Sequence, residues 1–297
     1  MTSTELAIDG TAPVARKIKK NKTSRHKKMS PMSYVFLALI AFASFFPFYW
    51  MFVVASSTSD VIAQSPPSVV PGDNFWNEVK AVFEVVPFGR NMLNTLIVCL
   101  SVAAAQVFFS SIAGFAFAKL QFRGKKVLIL FIIGTMMLPS QLGIIPLYML
   151  VSELGWINTL TALIVPALVT AFGVFWMRQI IDAQIPNELL EAASIDGAGV
   201  FRVYWSIVFP IIAQSGFVLG LFSFLATWND FLWPLLVLND PQVFTVQVAV
   251  NQLKSSYTLD YALNMGGAFL ATFPLLILFV VVGRRLVSGV MDGAVKG

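Results

Sequence analysis

Apolar runs with few or no charged residues recur along the chain and are separated by short polar segments. A helix that crosses ~30 Å of hydrocarbon at ~1.5 Å per residue needs ~20 apolar residues. Six segments meet this requirement and predict six transmembrane helices: residues 34–55, 95–118, 127–151, 160–177, 216–237 and 265–283. Prolines inside the third and fourth segments predict kinks, because neighbouring helices can satisfy the backbone groups that a proline leaves unpaired.

The composition supports a membrane protein and narrows the chemistry that the chain can perform. Of the 297 residues, 57% are hydrophobic and 12% are charged, against about 25% charged residues in a soluble domain. The single cysteine, Cys99, excludes a disulfide within the chain. The single histidine, His26, lies in a basic tail, so no histidine is available for chemistry inside the membrane.

The basic residues predict the orientation of the chain. With the N-terminus inside, 17 of the 20 Lys and Arg residues lie on the cytosolic side, as the positive-inside rule requires. Both termini are therefore expected in the cytoplasm, with the chain spanning the cell membrane several times. The basic tail at residues 16–28 is interpreted as a topology signal that lies near membrane lipid; a nucleic-acid site is the alternative, and no nucleic-acid partner is predicted.

These features divide the chain into four parts. A cytosolic tail at residues 1–33 is followed by the first transmembrane helix and an extracytoplasmic loop, at residues 34–90. A core of five helices occupies residues 91–285 and contains a cytosolic loop at residues 178–206. A short cytosolic tail, residues 286–297, ends the chain.

The loop at residues 178–206 contains the signals of a short helix. Asn187 is predicted to cap a helix at residues 188–196, because its side chain can accept from a backbone N–H of the first turn. Gly197 and Gly199 are predicted to end it, since glycine accepts the left-handed conformation found at helix C-termini.

The predicted helix is amphipathic and suits the docking of a cytosolic partner. Leu189 and Ala193 are expected along one face, with Glu191 and Ala192 beside it. A solvated linker is the alternative interpretation of the segment.

The same loop and the start of the fifth apolar segment carry a spaced pattern of residues. Its members are Glu191, Ala192, Ala193, Gly197, Ile207 and Pro210. The pattern resembles the Glu-Ala-Ala motif of ABC-importer permeases, in which Gly follows after three residues and Ile-x-Leu-Pro after nine more. Phe209 stands where leucine is usual, a change that keeps an apolar side chain.

The C-terminus carries a second resemblance. Residues 289–297 read GVMDGAVKG and are similar to the Gly-x-x-x-Gly-Ala-Val-Lys-Gly ending of the maltose-type branch of binding-protein-dependent permeases, which take up carbohydrates. The sequence WNDFL at residues 228–232 also resembles that branch. Together the two resemblances cover the chain from residue 91 to its end.

The resemblance implies an all-α polytopic membrane protein with six transmembrane helices, the type I ABC importer permease fold and a cytosolic coupling helix. It implies a permease subunit that moves a sugar, a di- or oligosaccharide, into the cytoplasm. The implied partners are a second permease subunit, two cytosolic ABC ATPase subunits and an extracytoplasmic sugar-binding protein. ATP and Mg are then expected on the ATPase subunits, with no cofactor or metal on this chain, which is not expected to be an enzyme.

The resemblance also assigns roles to residues. The residues implied in coupling to the ATPase are Glu191, Ala192, Ala193, Asp196, Gly197, Ile207 and Pro210. For Asp196 the alternative is that it only caps the turn. No residue is assigned to substrate binding.

Other functions are weighed against this interpretation. A secondary transporter or channel is the main alternative, but carriers driven by protons or sodium keep an ionisable residue at mid-membrane, and Asp230 alone lies in the six apolar segments. An intramembrane enzyme is disfavoured because no two acidic residues share a span. A structural subunit is a further alternative. A Gly-x-x-x-x-Gly-Lys-Ser/Thr phosphate loop is absent, which places ATP hydrolysis on a partner.

Two features leave alternatives open. Trp228 is predicted as an interfacial anchor, and stacking of Trp228 and Phe231 on a sugar is the alternative. The loop at residues 239–264 is either a plain connector or a segment that reaches into a docked binding protein.

Overall fold

The structure, a computed structural model, describes residues 30–58, 69–254 and 260–294. Within these ranges it consists of helices and irregular connections, without a β-strand. The α-helices are α1 (Pro31–Ala55), α2 (Phe75–Val85), α3 (Phe88–Lys119), α4 (Lys125–Met136), α5 (Ile144–Glu153), α6 (Thr161–Ile164), α7 (Ala171–Gln184), α8 (Asn187–Ile195), α9 (Val200–Val203), α10 (Phe209–Trp228), α11 (Leu232–Val237), α12 (Val246–Gln252) and α13 (Tyr261–Ala294). The basic tail at residues 16–28 and the last motif residues, 295–297, lie outside the described residues.

The chain separates into two units, Met1–Phe46 and Pro47–Gly297. The described part of the first unit is the beginning of α1, whose large apolar side chains are mostly exposed, as a lipid-facing surface requires. The second unit contains the remaining helices and all of the sites discussed below. The four-part division predicted from the sequence stays a prediction.

Six segments of the described chain are long and apolar enough to cross a membrane when each bent pair counts as one span. Four are single helical stretches: Pro31–Ala55, Phe88–Lys119, Val200–Trp228 and Tyr261–Gly283. The two bent pairs are Lys125–Met136 with Ser140–Glu153, at 97°, and Thr161–Ala167 with Ala171–Gln184, at 41°. The bends lie next to Pro139 and Pro166, where proline lacks a backbone donor. The predicted helical membrane fold with kinks in the third and fourth spans is confirmed.

The break in the fourth span is closed by a side chain from α3. Gln106 is only 7% exposed, and its Nε2 donates to the Ala167 carbonyl at 3.0 Å. Its Oε1 accepts from Ser223 Oγ of α10 at 2.7 Å. Thr170 caps α7 by accepting from the Gly173 backbone N–H at 3.1 Å. Unpaired backbone groups in hydrocarbon cost several kcal/mol, so Gln106 stabilises the break.

The fifth span begins and ends earlier than the sequence predicts. α9, a π-helical turn at Tyr204–Val208 and α10 together form the continuous stretch Val200–Trp228. The wider turn precedes Pro210 because the proline ring would clash with the carbonyl four residues earlier in an α-helix. The predicted span at residues 216–237 is therefore wrong at both ends, since hydropathy merged the end of this stretch with the separate helix α11.

Small residues bring α3, α7 and α10 close together. A Cβ at Gly114 would lie 2.8 Å from the backbone nitrogen of Arg178, and one at Gly173 would lie 2.5 Å from Ser110 Oγ. Small residues let membrane helices approach at their backbones. These three helices form the frame that carries the loop before Val200–Trp228 and the segment after it.

The segment between α11 and α12, residues 238–245, is hereafter the clip segment, because α3 holds it by side-chain hydrogen bonds. Asn91 Nδ2 and Asn94 Nδ2 both donate to the Phe244 carbonyl at 3.1 Å. Each also donates to a second carbonyl of the clip segment, at 2.7 Å for Asn91 and 2.9 Å for Asn94. Both asparagines are buried, and of the carbonyls that they bind, that of Phe244 is buried, so it needs a partner within the protein.

Two further side chains hold the clip segment and the start of α12. Thr95 Oγ1 accepts from the Val246 N–H at 2.8 Å. Asn158 Oδ1 accepts from the N–H groups of Asn239 and Asp240, both at 2.9 Å. Asn158 has a φ of 61°, a conformation that asparagine tolerates better than most residues. The clip segment is thus fixed to both α3 and the connection between α5 and α6.

Candidate functional site

The candidate site is the connection between α7 and α9, residues 185–199, which contains the short helix α8. Its beginning lies beside Lys119, the last residue of α3. Lys119 Nζ donates to Asn187 Oδ1 at 3.1 Å and lies 3.7 Å from Oδ1 of Asp182 on α7. Asn187 is the first residue of α8 rather than its cap, and no side chain caps this N-terminus. The predicted role of Asn187 as the N-cap is therefore wrong.

One face of α8 packs against the membrane helices. Ala193 is 7% exposed and belongs to a core cluster built by α3, α7, α8 and α10, and Leu190 packs against that cluster. Tyr204 in the same cluster makes a 2.6 Å hydrogen bond with Ser111 of α3. Leu189, four residues before Ala193 and so on the same side of the helix, is 37% exposed and lies at the edge of the packed face.

The C-terminus of α8 is closed by a left-handed glycine. Gly197 has a φ of +76°. The Ala198 N–H donates to the Ala193 carbonyl at 2.9 Å, and the Gly197 N–H donates to the Ser194 carbonyl at 3.0 Å. This pair of bonds is the Schellman arrangement, in which glycine avoids the steric cost of a Cβ. Gly199 has a φ of −70°, so its predicted role as a second left-handed residue is wrong.

The other face of α8 presents acidic and apolar side chains. Ile195 is 87% exposed and Phe201, just beyond the loop, is 76% exposed. Glu188 and Glu191 are exposed on the same helix, and their carboxylates have no hydrogen bond or ion pair within the part of the chain that the structure describes. Large apolar side chains that are left exposed favour a docking surface over a solvated linker.

Asp196 lies at the end of α8. Its backbone N–H donates to the Ala192 carbonyl at 3.0 Å. Its carboxylate is exposed and accepts no hydrogen bond from the turn among the described residues. A negative charge at a helix C-terminus is unfavourable by about 0.3–1 kcal/mol, so local stability does not account for this residue. Its role in coupling, like that of Ala192, stays a prediction.

The last two residues of the sequence motif, Ile207 and Pro210, lie in different elements. Ile207 belongs to the π-helical turn and packs against the same core cluster as Ala193. Pro210 is exposed and lies in the first turn of α10. The loop predicted at residues 178–206 is therefore shorter in the structure, because α7 continues to Gln184 and the membrane helix has already begun at Val200.

Two features, one beside the site and one at the far end of α10, are missed or misread from the sequence. Lys119 was counted only as a positive charge that sets orientation, although its side chain is 5% exposed and contacts α7 and α8. A lysine that ends an apolar span before a polar loop was the available signal. Trp228 is 1% exposed and its Nε1 donates to the Ala271 carbonyl at 3.3 Å, so its predicted role as an interfacial anchor is wrong.

The six-span helical fold, with a short helix packed between the fourth and fifth spans and partly exposed, defines a multi-pass membrane protein. Residues 106–288 match the family described as the binding-protein-dependent transport system inner membrane component. The chain belongs to this family. The resemblance to ABC-importer permeases seen in the sequence is confirmed.

Similar proteins cover nearly the whole chain. The lactose transport system permease protein LacG of Rhizobium radiobacter is 31% identical over 274 residues, which are 92% of this chain and 99% of LacG. The arabinooligosaccharides transport system permease protein AraQ of Halalkalibacterium halodurans is 30% identical over 88% of this chain and 94% of AraQ. The sn-glycerol-3-phosphate transport system permease protein UgpE of Yersinia pestis is 28% identical over 83% of this chain and 90% of UgpE.

A solved structure has the same fold. It is that of a bacterial ABC transporter involved in the import of the acidic polysaccharide alginate, with a TM-score of 0.74 over 85% of this chain and 94% of the matched chain. The sequence identity is 20%. This likeness shows the fold alone.

Proposed function

We propose that this permease subunit moves a di- or oligosaccharide into the cell, driven by ATP hydrolysis on partner subunits. The relatives named for lactose and arabinooligosaccharide transport match at least 88% of this chain and support a sugar as the substrate. The relative named for sn-glycerol-3-phosphate transport, 28% identical, makes a phosphate ester the second candidate.

The observation that carries the proposal is the two-sided arrangement of α8. Its inner face is fixed to the membrane core through Ala193, while its outer face offers Glu191 and Ile195 without a partner among the described residues. A helix built in this way can transmit a push or pull from a docked protein to the membrane spans. Glu191 then enters a cleft of the ATPase and pairs with a cation, most effectively an arginine that binds it by two hydrogen bonds.

The same core connects docking to the transport pathway. Tyr204 and Val208 lie beside Ala193 in the core cluster and belong to the continuous stretch Val200–Trp228. Movement of α8 therefore displaces one end of a membrane helix. ATP shifts the population between inward-open and outward-open states only if it binds one state more tightly than the other.

The partners follow from this division of labour. A second permease subunit completes the pathway, two ABC ATPase subunits dock on the α8 surfaces of the two permeases, and an extracytoplasmic sugar-binding protein delivers the substrate. ATP and Mg bind to the ATPase subunits, and this chain performs no catalysis itself. Membership of a binding-protein-dependent family supports these partners.

The proposed orientation places α8 and both termini in the cytoplasm. The test uses Cys99→Ala as the background, with one new cysteine at Gln121, between α3 and α4, or at Asp73, before α2. Both positions are exposed. An impermeant maleimide should label intact cells carrying Asp73→Cys and not those carrying Gln121→Cys. The reverse result would overturn the orientation.

The function is tested by uptake in a strain that lacks this gene. Labelled lactose, arabinotriose and glycerol 3-phosphate are supplied to the deletion strain with and without the restored gene. Restoration should return uptake of a sugar, and depletion of ATP with the proton gradient maintained should abolish it. Uptake that survives ATP depletion would instead identify a secondary transporter, and restored uptake of glycerol 3-phosphate alone would establish the second candidate.

A further inference from the structure

A partly open cavity of about 200 Å³ lies at the end of α10 away from α8. Its wall includes Thr95 and Cys99 from the first part of α3, Pro166 at the break of the fourth span, and Trp233 of α11. The clip segment contributes its last residue, Thr245. The volume is below the ~300–1,000 Å³ of pockets for drug-sized ligands, so the cavity suits one small ring and not a whole oligosaccharide.

The hydroxyl groups in this mostly apolar cavity differ in whether the fold satisfies their hydrogen bonds. Thr245 is only 4% exposed, yet its hydroxyl has no hydrogen-bond partner among the described residues. The neighbouring Thr95 hydroxyl, in contrast, donates to the Asn91 carbonyl and accepts from the Val246 N–H, both at 2.8 Å. Leaving a buried hydroxyl unpaired costs about 1–3 kcal/mol, and since Thr245 lines the cavity, a ligand bound there would supply the missing partner.

Two more residues add features that recognise sugars. Asp230, between α10 and α11, lines the cavity, and its carboxylate accepts from the backbone N–H groups of Trp233, at 3.5 Å, and Leu232. The Trp233 ring is held in place because its Nε1 donates to the Ala162 carbonyl at 3.0 Å. A carboxylate accepts strong hydrogen bonds from hydroxyl groups, and an aromatic ring offers an apolar surface to the C–H face of a sugar ring.

The charge of the cavity separates neutral from anionic substrates. Among the described residues that line it, Asp230 is the charged one, and Lys and Arg are absent. An anionic phosphate ester or sugar acid would place like charges together in a site of low dielectric, which is strongly unfavourable. A neutral polyol ring meets no such repulsion.

We propose that this cavity is a subsite of the transport pathway that binds one ring of a neutral sugar, with Asp230 and Thr245 accepting or donating hydrogen bonds to its hydroxyl groups beside Trp233. The inference rests on the proposed function and deepens it by naming an uncharged sugar as the substrate class. It also assigns substrate contacts to residues for which the sequence offered no role.

The variants must distinguish ligand contact from a structural role. Asp230 precedes α11 and helps to cap it, and asparagine caps a helix as well as aspartate does, so Asp230→Asn preserves the cap and removes the charge. Thr245→Val keeps the side-chain shape and removes a hydroxyl that the fold does not use. Ser110→Ala is the matched control, because the Ser110 hydroxyl is also fully buried without a partner but does not line the cavity.

The experiment uses the complete importer, with its partner subunits, in vesicles. The probes are labelled lactose and arabinotriose, the monodeoxy derivatives of whichever is transported, and glycerol 3-phosphate. We expect Thr245→Val to lower Vmax/KM for the neutral sugar about three- to tenfold, and Asp230→Asn about ten- to a hundredfold. Ser110→Ala should match the wild type, and all variants should retain assembly and basal ATP hydrolysis.

Transport of the deoxy sugars distinguishes the loss of a substrate contact from a structural defect. Replacing the sugar by the deoxy derivative that lacks the contacted hydroxyl should lower Vmax/KM more in the wild type than in Thr245→Val. The variant has already lost that contact. The binding protein is the same in both arms, so its own preference cancels.

The outcomes separate this inference from the proposed function. If the wild type moves neither sugar, the proposed sugar import is wrong and the subsite with it. If the wild type moves a sugar but Asp230→Asn and Thr245→Val behave as Ser110→Ala does, sugar import stands and the subsite is wrong. Transport of glycerol 3-phosphate in preference to both sugars would overturn the neutral substrate class.

Discussion

The loops at the two ends of the stretch Val200–Trp228 are built in opposite ways. Before it, α8 exposes Glu188, Glu191 and Ile195, and the carboxylates have no partner within the described chain. After it, the clip segment has its carbonyls and N–H groups bonded to Asn91, Asn94 and Asn158. The clip segment is held by this chain itself, and α8 leaves its acidic and apolar side chains exposed.

The difference shows what each end does. A segment whose backbone is satisfied by buried side chains keeps its shape without help, because any movement would leave those groups unpaired. A segment with exposed apolar and unpaired acidic side chains gains free energy only when another surface covers it. The clip segment is therefore a fixed wall of the cavity, and α8 is the element that we propose to move with the ATPase.

The largest expected effect comes from Glu191→Ala. Removing the carboxylate leaves its cationic partner in the ATPase cleft unpaired, which costs about 2–5 kcal/mol of docking free energy. Sugar-stimulated ATP hydrolysis and capture of the ATPase in a pull-down should therefore collapse, while membrane insertion and the thermal stability of this chain stay unchanged.

Glu188→Ala is the matched control for that change. Glu188 lies one turn earlier in α8, is equally exposed, and contributes about 0.3–1 kcal/mol through the helix dipole. Equal coupling in Glu191→Ala and the wild type would show that the surface of α8 is a linker rather than a docking site.

Asn91→Ala should destabilise the clip segment. It removes two hydrogen bonds to carbonyls of the clip segment, one of them the buried Phe244 carbonyl, and a loss of about 1–3 kcal/mol in the free energy of unfolding is expected. Thermal unfolding in detergent measures it. Asn77→Ala loses one exposed bond to Asn74 and should lower the free energy of unfolding far less. Similar losses of stability in the two variants would show that Asn91 does not hold the clip segment.

Gly197→Val should destabilise α8 by a smaller amount. The expected cost is about 1–2 kcal/mol from a positive φ alone, since a Cβ at this position meets nothing within 4 Å. Amide hydrogen exchange across α8 should become faster and coupling should fall. Gly199→Val has equal space but an ordinary φ, so it should behave as the wild type; matching exchange rates in both variants would argue against the strain.

The smallest effect is expected at Glu78 on α2. Burial, and then the nearby Asp260 carboxylate, raise the pKa of Glu78 above its ordinary 4.5, while the hydrogen bond from Asn74 lowers it. The folded state therefore holds the proton more tightly than the unfolded state, so this residue's contribution to stability is greatest below the unfolded pKa and is lost as pH rises through the folded pKa.

Glu78→Gln removes this dependence and can still accept the bond from Asn74. Thermal unfolding in detergent from pH 4 to pH 8 should show a variant slightly more stable than the wild type at neutral pH, with the difference vanishing at the acidic end. A difference that is constant across the range would rule out titration of Glu78 as the cause.

Much of the fold and part of the site could be predicted from local sequence. Apolar length predicts the spans, and proline positions predict the two bent ones, because both follow from hydrocarbon thickness and from the backbone chemistry of proline. The left-handed turn at Gly197 follows from a glycine after a short helix. The limits of the fifth span could not be predicted, since hydropathy does not register the break between Trp228 and α11.

The sequence by itself determined that this chain spans a membrane as helices, that it carries a short helix before the fifth span, and the family to which it belongs. Only the tertiary structure decided which side chains meet across the chain. Asn91 lies about 150 residues from the carbonyls it binds, Lys119 lies 68 residues from Asn187, and Thr245 is left unpaired by packing that no local pattern encodes. Hydrogen bonds between distant segments depend on how the helices pack, and that packing is a property of the whole chain.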